Sequence, residues 1–169
     1  DSIALIKKSV CLAQEARDIY LAEDEAAQAR GLFVAGSVGP YGAYLANGSE
    51  YTGDYVLSST DFQAFHRPRI QALLDAGVDV LALETQPSFT EIIALVELLT
   101  KFPDARAWVS MTLRDVETLS DGTPLKEVVR RLNESSQVVA VGVNCVPEEI
   151  VTSALKHLRS LTSKPLICY

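Results

Sequence analysis

Two hydrophobic periods alternate along this chain. Short, nearly continuous apolar runs are separated by longer stretches in which apolar residues return every three or four positions. The first pattern suits strands buried in a parallel sheet, and the second suits amphipathic helices. Residues 2 to about 28 predict a helix with Leu5, Leu12, Ala16 and Ile19 on its apolar stripe. Leu32-Phe33-Val34-Ala35 predicts a short buried strand, and the Gly- and Tyr-rich residues 36–55 predict a long functional or lid-like loop. Thr60 and Gln63 form a capping box for a helix carrying Phe62, Phe65, Ile70, Leu73 and Leu74. Pro68 should kink that helix and Gly77 should end it.

Residues 78–83 predict a second strand, followed by Glu84 and Thr85. Ser88 and Glu91 make another capping box, for a helix to Leu99. Residues 107–111 form a third strand that ends near Thr112, and Thr123 caps a helix with Pro124 at its first position. A fourth strand, 138–143, closes on Asn144 and Cys145. Pro147 opens a helix with Ile150, Ala154, Leu155, Leu158 and Leu161 inward, and 165–169 is the fifth strand.

The last three strand-to-strand intervals are 29, 31 and 27 residues, the size of a βα unit. The pattern therefore predicts an α/β fold with a parallel sheet covered on both faces. A doubly wound sheet and part of a (β/α)8 TIM barrel both satisfy it. With 169 residues against the roughly 250 of a full barrel, a partial barrel of about five βα units is favoured. Residues 1–169 then form the central part of one barrel domain. Met111 is the only methionine, so residue 1 is not an initiator and the chain reads as a piece of a longer protein.

Charge narrows the partners. Fifteen Lys and Arg against 22 Asp and Glu give a net charge of −7, which argues against nucleic acid. No apolar run approaches the roughly 20 residues of a membrane span. Cys11, Cys145 and Cys168 are too few and too scattered for a disulfide framework and fit a reducing, cytoplasmic compartment.

In either architecture the active site lies at the carboxyl ends of the strands. Those ends carry Ser37, Glu84, Thr85, Thr112, Asn144, Cys145 and Tyr169. Glu84, directly after an apolar run, could bind an ammonium group or act as a base. A lone Cys145 suits inert packing as well as a nucleophile or ligand, and His66 and His157 lack metal-ligand spacing with it. The residues alone thus define a βα enzyme with a small-molecule site and no particular reaction. Metal-free chemistry at Glu84, and a non-catalytic remnant with exposed barrel edges, both stay open.

Several segments together resemble the homocysteine S-methyltransferases: VAGSVGPYGAYL (34–45), GSEYTGDY (48–55), FHRPR (65–69), LET (83–85), SDGTPL (120–125) and GVNC (142–145). The resemblance is nearest the branch using S-methylmethionine or S-adenosylmethionine as donor. It implies a (β/α)8 barrel in which zinc held by three cysteines activates the homocysteine thiol. Cys145 matches the cysteine of the Gly-x-Asn-Cys motif, and the other two ligands, a Gly-Gly-Cys-Cys pair, are expected outside this chain. Cys11 and Cys168 do not match them. By the same resemblance Glu84 binds the substrate ammonium and Asn144 supports the metal ligand, with Thr85, Thr112 and Ser37 as further substrate-site candidates. The tyrosines of the 36–55 loop could face the sulfonium.

Overall fold

The computed structural model describes residues 1–23 and 31–169; positions 24–28 of the first predicted helix lie outside the described residues. In chain order the elements are α1 (Ser2–Glu23), β1 (Ala35–Val38), α2 (Tyr41–Leu45), α3 (Ser49–Thr52), α4 (Ser59–Asp75) and β2 (Val80–Gln86). They continue with α5 (Phe89–Leu99), β3 (Ala107–Met111), α6 (Leu125–Glu134), β4 (Val138–Val143), α7 (Glu148–Leu161) and β5 (Leu166–Cys168). The strands form one parallel sheet in the order β1-β2-β3-β4-β5. Sequential parallel strands joined by right-handed crossovers place every connecting helix on the same side. A doubly wound sheet would reverse its order at a switch point. The winding is consistent with a partial barrel.

Side-chain size along the strands agrees. Val38, Leu81, Leu83, Val109, Met111, Val141 and Val143 join one core with Ile70, Leu73, Ile92, Leu95, Leu98, Val128, Leu132, Ala154 and Leu158 from the helices. Most of the intervening positions, among them Ala35, Ser37, Ala82, Glu84, Ser110 and Gly142, are small or polar, and the large exception is half-buried Trp108, whose indole meets Tyr169. Among the described residues the apolar core lies on one face of the sheet. Gly142 shows how tight the sheet is. A Cβ there would stand 1.7 Å from the carbonyl oxygen of Ile167, so only glycine fits this motif position.

Several boundaries shift for local reasons. β1 begins at Ala35, three residues later than expected, and Leu32 and Phe33 are exposed. Val34 N–H is instead held by the Asp79 carboxylate at 2.7 Å. α4 is capped by Ser58, whose hydroxyl accepts from Asp61 N–H, and not by Thr60. It runs unbroken through Pro68, since Pro68 and Ala64 face solvent, where water can serve the freed carbonyl. Pro124 is itself the cap residue of α6, and the turn before it is tied by Asp121 accepting from Thr123 N–H.

The largest correction concerns α1. Leu5, Leu12 and Ile19 are 71, 53 and 62% exposed, and Val10 with Ile6 packs inward instead. Polar anchors select that face: Gln14 donates to the Ala76 and Gly77 carbonyls, Lys7 pairs with Asp75, and Arg17 pairs with Asp79. They fix α1 against the end of α4 and leave the leucine stripe outside.

Candidate active site

The small and polar strand positions converge at the carboxyl end of the sheet. Ser37 on β1 donates its hydroxyl to Glu84 Oε1. Tyr169, just past β5, donates to Glu84 Oε2 at 2.6 Å, and its oxygen also meets Ser110 Oγ at 3.0 Å and accepts from Trp108 Nε1 at 3.2 Å. Partial burial and the Glu84 carboxylate raise the Tyr169 phenol above its ordinary value, so it stays a donor. Glu84 is thus a half-buried carboxylate held by two hydroxyls, with acceptor capacity left over.

Asn144 joins this group to Cys145. Its side-chain oxygen accepts from Thr85 N–H at 2.8 Å, and its amide nitrogen donates to Thr85 Oγ1 at 2.8 Å and to Cys145 Sγ at 3.5 Å. Both Thr85 (φ 59°) and Cys145 (φ 53°) adopt the left-handed conformation, which is costly for side chains other than glycine, and most of all for a β-branched one. Buried Asn144 clasps these two strained corners. The strain turns Thr85 out of the β2–β3 ladder, where the register shifts between Leu83 and Gln86.

Ser37, Glu84, Thr85, Asn144 and Cys145 are therefore brought together. Thr112 is not: it is buried, its hydroxyl donates to the Glu50 carbonyl at 3.2 Å, and it accepts from Ser120 Oγ at 2.9 Å. It ties loops to the end of β3.

A second polar group lies behind the first. Glu91, fully buried, accepts from Tyr41 N–H (2.6 Å), Tyr55 O–H (2.5 Å) and His66 Nε2 (2.7 Å). Arg69 donates from Nη2 to His66 Nδ1 (2.8 Å) and to the Gly39 carbonyl (3.1 Å), and its guanidinium lies over the Phe65 ring. Arginine only donates, so His66 Nδ1 accepts and Nε2 carries the proton toward Glu91. Burial pushes His66 below its ordinary value, in keeping with that neutral imidazole, and burial with Glu91 pushes the Tyr55 phenol up. This hub pins both ends of residues 39–55 to α4 and α5. The segment holds two short helices where the sequence predicts a loop, and Tyr41, Tyr44 and Tyr55 pack with one another and with Phe62 and Phe65. The expected Ser88–Glu91 capping box is half made. Ser88 Oγ accepts from Glu91 N–H, but the Glu91 carboxylate is committed to the hub.

The homocysteine S-methyltransferase family profile matches residues 1–169. The chain belongs to that family. It is 64% identical over 168 residues to homocysteine S-methyltransferase of Escherichia coli K12, covering 99% of this chain and 54% of the relative. It is 46% identical to the Bacillus subtilis homocysteine S-methyltransferase YbgG, covering 98% of this chain and 53% of that protein. The crystal structure of E. coli homocysteine methyltransferase MmuM in its metallated form superposes with a TM-score of 0.97 at 64% identity, over 99% of this chain and 58% of that one. The chain spans a little over half the length of the curated relatives it matches.

A metal site can be tested against the side chains present. Among the described residues no three of His, Cys, Asp and Glu converge on one point. Cys145 fits a single place in a thiolate-held site, being free, exposed and steadied by Asn144. Cys11 on α1 and Cys168 in β5 do not join it. Sequence reasoning placed Tyr169 at a strand end without giving it a role. It gave Glu91 a capping role only, set His66 aside as a metal ligand and quoted Arg69 only within the 65–69 motif, because a residue inside a helical pattern shows nothing of what it meets across the fold.

Proposed function

We propose that the protein containing these residues transfers a methyl group from a sulfonium donor, S-methylmethionine or S-adenosylmethionine, to homocysteine. The homocysteine sulfur, as thiolate, attacks the donor methyl carbon in line. The methyl–sulfonium bond breaks, its electron pair stays on the donor sulfur as a neutral thioether, and methionine forms. The thiol proton is lost to solvent beforehand. The juxtaposition of Glu84 and Cys145 across the Asn144 clasp carries this reading: it offers an ammonium partner and one thiol metal ligand on one frame.

In this reading Cys145 is one of three cysteine ligands to zinc, the other two lying outside these 169 residues. Zinc so bound would favour the deprotonated form of a substrate thiol, whose free pKa is about 8.5 by analogy with cysteine. Glu84, fixed by Ser37 and Tyr169, binds and orients the substrate ammonium. Asn144 holds the Cys145 sulfur and keeps both left-handed corners in place. The barrel closes to (β/α)8 in the whole protein, and its free thiols suit a cytoplasmic setting.

In the full-length protein, Cys145→Ser is expected to abolish stoichiometric zinc, read by elemental analysis, together with turnover. Retained zinc with normal turnover would overturn the assignment. Assays with each donor separately decide between the two sulfonium compounds.

A further inference from the structure

Three buried side-chain atoms among the described residues have no hydrogen-bond partner: Arg69 Nε, Gln86 Oε1 and Glu50 Oε2. The first belongs to a guanidinium already engaged through Nη2, and the second to a neutral amide that donates to the Val38 and Glu84 carbonyls. The third is different, because it belongs to an acid. Glu50 makes no ion pair among the described residues, and its Oε2 is buried without a hydrogen-bond partner in a residue that is half-buried as a whole. An unmatched carboxylate oxygen withdrawn from water is expensive, and such groups persist where a ligand supplies the missing partner.

Its place in the fold says which ligand. The Glu50 carbonyl receives the Thr112 hydroxyl at 3.2 Å, while Thr112 N–H bonds the Gln86 carbonyl and Asn144 N–H bonds the Met111 carbonyl. Residue 50 therefore sits by the ends of β2 and β3, and β3 is the neighbour of the strand that delivers Cys145. It is firmly held there. A Cβ at Gly42 would meet Glu50 N at 2.6 Å, so α2 and α3 touch backbone to backbone. The Glu91 hub anchors residues 39–41 and 55 on either side. Glu84 already answers the amino group of one substrate, whereas the other substrate in the proposed reaction carries a permanent positive charge on sulfur.

We propose that Glu50 is the counter-charge for the sulfonium donor, and that the 39–55 segment that carries it borders the donor side of the site. The inference rests on the methyltransferase reading above. Glu50 contributes by electrostatic attraction to an onium centre that cannot donate a hydrogen bond, which fits an oxygen left without a donor. The neutral thioether left after transfer has no such attraction and departs.

The test uses the full-length, zinc-loaded protein and its E50Q variant, with KM measured for each substrate separately. The expected result is a donor KM raised at least about tenfold, or about 1.4 kcal/mol, with homocysteine KM changed less than about twofold. Glu50→Asp should recover part of the donor KM, since it restores the charge. An equal rise in both KM values, or an unchanged donor KM, overturns the proposal. Wild-type protein that binds zinc but methylates no homocysteine would instead overturn the reaction reading, a separate failure. If E50Q is unstable, binding of trimethylsulfonium and of neutral dimethyl sulfide to the wild-type protein by calorimetry replaces it, and equal affinity for the two again overturns the proposal.

Discussion

Glu84 and Glu91 stand seven residues apart, each accepts a tyrosine hydroxyl, and they lead opposite lives. Glu84 is half-buried at the open end of the sheet, with Ser37 and Tyr169 as partners and acceptor capacity to spare. Glu91 is sealed in, and its three donors, Tyr41 N–H, Tyr55 O–H and His66, come from three parts of the chain. A carboxylate whose partners all belong to the protein is committed to holding the protein together. One steadied on two sides and left open on another is prepared for something that arrives. The difference is made by the element each sits on. A strand end opens to the mouth of the sheet, while the first turn of α5 faces the packed layer of α4 and the 39–55 segment.

The largest expected effect tests this division directly. Glu91→Ala in the full-length protein should cost about 3–5 kcal/mol in urea denaturation, because it strands His66 and Tyr55 in a buried site. Glu84→Ala should stay within about 1 kcal/mol, as a half-exposed carboxylate does. In kinetics the order inverts, and Glu84→Gln should raise homocysteine KM about tenfold. Equal stability losses for Glu91→Ala and Glu84→Ala would break the comparison.

A matched pair of hydroxyl deletions sharpens it. Tyr55→Phe removes a buried hydrogen bond to a carboxylate and should cost about 1.5–3 kcal/mol. Tyr169→Phe removes the equivalent bond from Glu84, where Ser37 remains, and should cost below about 1 kcal/mol while raising homocysteine KM a few-fold. If Tyr55→Phe is the gentler of the two on stability, the buried hub holds less than its geometry implies.

The five strands, the long helices and the gathering of polar residues at the strand ends were legible because each follows from local periodicity, whereas the two short helices within 39–55 were not. Residues 107–111 and 138–143 match their strands to the residue, since apolar runs bounded by polar ones leave no freedom. The 142–145 motif put Asn144 and Cys145 just past the fourth strand, where the structure has them beside Thr85. What was illegible depends on partners distant in sequence. The stripe of Leu5, Leu12 and Ile19 looked inward until Gln14, Lys7 and Arg17 found Ala76, Asp75 and Asp79. Thr112 read as a substrate-site candidate, and the bonds of its hydroxyl to Glu50 and Ser120, distant in sequence, could not be read from the strand pattern. Glu91 fitted a capping motif so well that the pattern concealed its larger role.

The smallest effect concerns pH and probes the proton on His66. Its ring is buried between the Glu91 carboxylate and the Arg69 guanidinium, with the Phe65 ring edge-on to it and Tyr55 behind Glu91. Burial holds its folded pKa below the ordinary 6.5, and Arg69 pushes the same way. Once the pH falls below 6.5, the unfolded chain takes up a proton that the folded chain resists. Stability is therefore complete above pH 6.5 and declines as the solution is acidified through the folded value, by up to about 1.4 kcal/mol per pH unit. Asp75 and Asp115, both held below the ordinary carboxylate value of 3.8, act only in a more acidic range. His66→Gln keeps an N–H toward Glu91 and an acceptor toward Arg69 but cannot titrate. It should flatten the slope of unfolding free energy between pH 6.5 and about 5 in the full-length protein, and Glu84→Gln should leave that slope intact. An unchanged slope in His66→Gln would mean that the imidazole is charged in the folded protein. The Arg69–His66 contact would then join two cations, and the reading of Glu91 as a sealed, fully answered carboxylate would fail with it.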